Sequence, residues 1–170
     1  MSATITASTG AQYARIMAVG GYRPERIVTN AEICEFIESS DEWIRERSGI
    51  VERRFAAKDE SVVDMAEAAA RLAIARAGID PADIGMVLVA TVTHAEQLPS
   101  AAVELAARLG TTNAAMDISA ACAGFCYGIS VADSLVRTGA ARYVVVVGVE
   151  KLTDWVDITD RSAAFLFADG

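Results

Sequence analysis

Apolar positions along the chain fall into two rhythms. Val62, Met65, Ala66, Ala69, Leu72 and Ala73 recur at steps of three and one, which draws a single stripe down one face of a helix. Ser61, with Asp64 three residues on, resembles a capping box, and Gly78 supplies a stop, so a long helix is predicted from Ser61 to Gly78. The second rhythm is the short dense run. Met86–Val92, Ala114–Ile118, Tyr143–Val149 and Ala164–Ala168 read as strands, mostly written as the continuous apolar runs of a sheet covered on both faces. Tyr13–Tyr22 mixes β-formers with a double glycine and suggests a further strand running into a turn.

The punctuation between these runs places the remaining helices. Asn30 is a candidate cap for a short helix reaching Ile37. In SSDEWIRERSG, Ser40 or Asp41 offers a cap, acids come early, arginines come late and Gly49 terminates. Asp80-Pro81 opens a turn, Pro99 or Ser100 begins a helix that Gly110 closes, and another helix is predicted over Cys122–Thr138. This alternation argues for an α/β layer. The closing FLFADG carries a turn signal at Asp169-Gly170 that is expected to join a strand to a hairpin partner, so the chain reads as ending inside a sheet.

Composition narrows the class. At 170 residues and 53% hydrophobic, the chain suffices for one domain with a well-buried core but not for two. No apolar run approaches the roughly 18 residues that a membrane helix needs. The net charge of −8 argues against a broad nucleic-acid or anionic-membrane surface. Among the 15 basic side chains only Lys58 and Lys151 are lysines. That bias suits phosphate recognition by planar guanidinium groups, and genome composition produces it equally well. Residues 1–12 are small and polar, without a secretory pattern, and are expected to form a loose tail before a domain over 13–170. Cys34, Cys122 and Cys126 form no metal-type pair, and an odd count points to reduced thiols and a cytoplasmic address.

Of the three, Cys122 stands at a junction. The segment AAMDISAACAGFCYGISVADSLVRTG passes from a short strand into a helix rich in alanine and glycine, with Cys122 at the turn. A thiol at a helix amino terminus gains stabilisation of its thiolate, and the neighbouring N–H groups suit an oxyanion on a bound thioester. A small buried hydrophobe is the competing reading, and it is the expected one for Cys126 and Cys34.

DISAACAGFCYGI resembles the nucleophile segment of β-ketoacyl-acyl carrier protein synthase III, the condensing enzyme that starts bacterial fatty-acid synthesis, in the thiolase superfamily. SSDEWIRERSGIVERRF is similar to that family's early motif, and GVEKLTDWVDITDRSAAFLFADG to the segment after its nucleophile helix; the match runs in register from about Ala14 to Gly170. The resemblance implies the amino-terminal half of an αβαβα thiolase-like fold, usually a homodimer. It implies Cys122 as the residue that takes an acyl group from acyl-CoA and passes it to a carbanion from malonyl-acyl carrier protein, with no cofactor beyond the coenzyme A thioester substrate. It implies Trp43 against the adenine, Arg47 near the nucleotide and Arg161 on the other side of the adenine. Leu98 matches a position that reaches into the partner subunit's acyl pocket. The family's catalytic histidine and asparagine and its glycine-rich turn belong to a carboxy-terminal half missing from these 170 residues; His94 does not match the histidine and is expected to be a loop residue. Polyketide starter-unit synthases and acyltransferases share the cysteine segment, and a non-catalytic half-domain that binds a full-length synthase is the alternative of a different class.

Overall fold

A computed structural model describes residues 10–170. Most of the loose tail expected over 1–12 therefore lies outside the described residues; Gly10 and Ala11, which are described, pack on the chain near Arg137, where Ala11 N donates to Val136 O (3.4 Å).

Two strands, β1 (Arg26–Thr29) and β2 (Glu52–Phe55), pair antiparallel and enclose α1 (Asn30–Ile33) and α2 (Asp41–Ser48). The chain continues through α3 (Val62–Ala77), β3 (Ile84–Ala90), α4 (Ala101–Leu109), β4 (Ala114–Ile118), α5 (Gly124–Arg137) and β5 (Tyr143–Gly148). The last three strands form a parallel sheet ordered β4-β3-β5, with Leu88 in register with both Met116 and Val146. Its central strand explains its own composition. Val87 and Val89 join the core built with α3 and α4, while Met86 and Leu88 join the core under α5. Both faces are covered, so both must be apolar.

Close packing of α5 depends on glycine. A Cβ on Gly124 would stand 3.0 Å from Ala90 Cβ, and one on Gly128 2.8 Å from Val146 Cγ1. On the opposite face the capping box is present as read: Ser61 Oγ accepts from Asp64 N (3.1 Å) and Asp64 accepts from Ser61 N (2.7 Å). Gly49, Gly78 and Gly110 end their helices with positive φ.

Several expected elements differ. Thr29, not Asn30, caps α1, because the Asn30 side chain turns inward; α1 then ends at Ile33 rather than Ile37. Tyr13–Tyr22 forms no strand: β-formers need a ladder, and this stretch instead lies along α3, where Arg76 Nη1 donates to Val19 O (2.8 Å) and Gly20 meets the helix backbone. Ala164–Ala168 is not a strand either. Asp160 Oδ1 accepts from Ser162 N (2.8 Å) and starts successive turns, in which Ala164 N donates to Asp160 O and Phe167 N to Ala163 O. At Asp169-Gly170, Gly170 and Glu150 exchange backbone hydrogen bonds, and Asp169 bridges Lys151. The run expected over Met86–Val92 pairs two residues earlier, as Ile84–Ala90. Among the described residues no helix is long and apolar enough to cross a membrane.

Candidate active site

Cys122 lies where the chain turns back from β4 toward α5. Ala121 holds φ at +44°, the one non-glycine residue with positive φ among those described, and a short 3₁₀ turn over Ala121–Ala123 precedes the α-helix. The expected helix over Cys122–Thr138 thus starts as a tighter turn. This kink exposes Cys122 at the amino-terminal end of α5, where no side chain caps the helix. Gly124 seats that first turn on Ala90, at the carboxyl end of the central strand. Crevices beyond the carboxyl ends of parallel strands are where α/β sheets place their ligands. Cys34 is half-buried, whereas Cys126 is exposed and so is not the buried hydrophobe expected.

The loop after β3 is tied down beside this end of the sheet. The Glu150 carboxylate accepts from Val92 N (3.0 Å), Thr91 Oγ1 (3.1 Å) and Thr93 Oγ1 (2.5 Å). Lys151 N donates to Thr93 Oγ1 (2.8 Å) and Trp155 Nε1 to Thr93 O (3.3 Å). His94 Nε2 lies 3.3 Å from Pro99 O within its own loop. Leu98, before a cis peptide to Pro99, is 86% exposed.

Trp43, Arg47 and Arg161 come together in a separate group. Trp43 and Arg47 stand one turn apart on α2, which Ser40 caps by accepting from Trp43 N (3.1 Å). The Arg47 guanidinium carbon is 5.5 Å from the indole centroid, and that of Arg161 is 4.7 Å away. Two cations therefore share one indole. Arg161 Nε donates to Glu38 O (2.7 Å), and Phe165 meets the Trp43 ring edge-on at 5.3 Å. One residue before the α2 cap, Ser39 Oγ is buried with no hydrogen-bond partner. Neither Ser39 nor Phe165 was singled out by sequence reasoning. A small polar residue beside a helix cap carries no pattern of its own, and Phe165 sat inside a run misread as strand. Among the described residues no cluster of His, Cys, Asp or Glu could hold a metal ion.

A further cleft lies elsewhere. It is an open depression of about 750 Å³ lined by Tyr22, Glu25, Arg26, Ala57, Asp59, Glu60 and Asp64, none of them in the groups above. There the Tyr22 hydroxyl donates to Glu60, and that hydrogen bond pushes its pKa up to about 12.

The chain is similar to known proteins in sequence and in fold. Residues 116–170, which include Cys122 and Arg161, match the family model for 3-oxoacyl-[acyl-carrier-protein] synthase III. The chain is 55% identical over 167 residues to the β-ketoacyl-[acyl-carrier-protein] synthase III 1 of Streptomyces coelicolor, covering 98% of this chain and 49% of that protein. It is 53% identical over 167 residues to the mycobacterial β-ketoacyl-[acyl-carrier-protein] synthase III of Mycolicibacterium paratuberculosis, of which it covers 50%. Among solved structures, the priming β-ketosynthase of the R1128 polyketide pathway superposes with a TM-score of 0.93 at 44% identity, over 99% of this chain and 50% of that one. The 3-oxoacyl-[acyl-carrier-protein] synthase III of Aquifex aeolicus superposes with a TM-score of 0.87 at 41% identity, over 91% of this chain and 50% of that one. The α/β architecture is accordingly thiolase-like, and the chain spans about half the length of these relatives. The chain belongs to the β-ketoacyl-[acyl-carrier-protein] synthase III family, whose amino-terminal half it matches.

Proposed function

We propose that this chain is the acyl-accepting half of a β-ketoacyl-acyl carrier protein synthase III, and that Cys122 is its nucleophile. The observation that carries this reading is Cys122 itself, exposed in a strained turn at an uncapped helix start. The thiolate attacks the thioester carbonyl of acyl-CoA, the acyl–sulfur bond to coenzyme A breaks, and coenzyme A leaves as a thiol after taking a proton. Helix-start N–H groups suit the oxyanion that forms on the thioester. Trp43 offers an aromatic face to the adenine, and Arg161 and Arg47 offer cations to the nucleotide phosphates. Leu98 projects toward the acyl pocket of a partner subunit in a homodimer.

Residues 13–170 form one half-domain. Condensation with malonyl-acyl carrier protein draws on a histidine and an asparagine of a carboxy-terminal half, which also covers the exposed face of α5. Three free cysteines suit a reducing, cytoplasmic setting. A polyketide starter-unit synthase is the second reading, favoured by the close superposition on a priming β-ketosynthase.

Radiolabelled acyl-CoA, followed by malonyl-acyl carrier protein, tests both on the chain together with any polypeptide that co-purifies with it. Label on Cys122 and then a β-ketoacyl product supports the first reading. Stable label that passes to a different acceptor supports the second. Absence of label leaves neither standing.

A further inference from the structure

Arg53 is 6% exposed, yet none of its acceptors is a carboxylate. Its Nη1 donates to Val28 O (3.3 Å), and its Nη2 to Asn30 Oδ1 (2.5 Å) and Phe165 O (3.2 Å), while Nε has no partner. Burial of a cation on neutral oxygens is costly, and a well-packed apolar side chain would avoid that cost. What the arrangement provides is geometry. The contact to Phe165 reaches the turn that also carries Arg161, and Phe165 is the residue that meets the edge of Trp43. The contact to Asn30 continues outward: Asn30 Nδ2 donates to Asp41 Oδ1 (2.7 Å), the first residue of α2, and to Ile50 O (2.8 Å), just beyond the end of that helix. One guanidinium therefore ties together the helix that presents Trp43 and Arg47 and the turn that presents Arg161, segments more than 100 residues apart in sequence.

We infer that Arg53 is a positioning residue that holds the two walls of the nucleotide-binding group in register, with Asn30 and Asp41 as its relay to α2. The inference rests on the acyl-CoA reading above. A planar fork can reach three acceptors on three segments at fixed angles, which the single ammonium of lysine cannot reproduce.

The test is a double-mutant cycle on the chain with any polypeptide that co-purifies with it. Coenzyme A affinity is measured by calorimetry, and acylation of Cys122 is measured with acetyl-pantetheine, a thioester that lacks the nucleotide. Arg53→Lys is expected to weaken coenzyme A about tenfold and Asp41→Ala about fivefold, in the range of hydrogen bonds to charged groups. The double variant is expected to lose about tenfold rather than about fiftyfold, because both cut one relay. Arg45→Ala, which removes the other partner of Asp41, leaves the affinity unchanged. Acylation by acetyl-pantetheine stays at the parent rate in all of them. Losses that multiply, or an equal slowing with acetyl-pantetheine, overturn the inference by assigning Arg53 a general structural role. Should Arg53→Lys fail to fold, Asp41→Ala, at an exposed helix start, decides alone through its contrast between the two substrates. A parent protein that does not bind coenzyme A overturns the acyl-CoA reading itself, whereas a parent that binds and variants that bind equally well overturn this inference only.

Discussion

At Ala121 a single backbone angle decides where a thiol points. Positive φ in a residue with a Cβ is a strained conformation, and the chain adopts it immediately before Cys122. Ala121→Gly removes the strain and is expected to leave stability equal or slightly higher, whereas the branched side chain of Ala121→Val adds about 1–3 kcal/mol of destabilisation, read from denaturant midpoints. Cys122→Ser is expected to abolish thioester labelling and leave coenzyme A affinity within about twofold, because the proposed nucleotide-binding group rests on other elements. Arg161→Ala is expected to weaken coenzyme A about tenfold with little change in melting temperature, since the side chain is exposed and is held by the Glu38 carbonyl and the Trp43 ring rather than by the core. The legibility of these residues differs for physical reasons. Trp43 and Arg47 are four residues apart on a helix, and that spacing is visible in the sequence. Arg161 meets them through tertiary folding alone, so only the family resemblance linked the three. Arg53 reads as one basic residue in ERRF; nothing local distinguishes a buried fork from a solvated one.

Among the elements, α3 and α4 are bound by one arginine. Arg108 Nη1 contacts Asp64 Oδ1 (2.6 Å) and Glu67 Oε2 (3.3 Å), and its Nη2 contacts Glu104 Oε1 (2.6 Å). Asp64 also completes the capping box, so one carboxylate both starts α3 and holds it to α4. Burial alone would raise its pKa, but hydrogen bonds from Ser61 and Arg108 outweigh burial and hold it at about 2. A carboxylate depressed in the folded state contributes stability that is complete above its unfolded pKa of about 3.9 and is lost as pH falls toward the folded value. Thermal melts of the parent and Asp64→Asn are therefore expected to differ at neutral pH and to converge between about pH 4 and pH 2; a gap that persists at pH 2 would contradict this account. The caps of α2 and α3 and the glycine stops of α2, α3 and α4 are local chemistry, and their placement follows from sequence, whereas the start of α4 is met by Asp117 of β4. The strands follow where both faces are buried, as in β3. Four-residue β1 and β2 carry arginine, glutamate and threonine, and their pairing across the intervening helices leaves no periodic trace, which is why the sequence reading missed them.

Over the whole molecule, the apolar surface is unevenly closed. One face of the sheet is sealed by α3 and α4, which bury Ala101, Ala102 and Leu105 completely. The other face is covered by α5, whose outer side leaves Tyr127 56% and Phe125 48% exposed, with Ile129 beside them and Met116 exposed on the neighbouring edge strand. Proteins that work as monomers seldom leave such a contiguous patch open. An edge strand beside it adds unpaired backbone groups that template association. The relatives are about twice as long as this chain, and the carboxy-terminal half of the proposed synthase is the partner this face is expected to take. Produced alone, the 170-residue polypeptide is expected to self-associate and to bind a hydrophobic dye. Tyr127→Glu combined with Ile129→Lys places two charges on the exposed side of α5 without entering its contacts with the sheet through Gly124 and Gly128. Light scattering of that variant should show a monomer with an unchanged far-UV spectrum, while addition of the carboxy-terminal half of a relative should suppress dye binding by the parent and not engage the variant. Self-association that survives both charges would move the interface off α5, to the edge of β4.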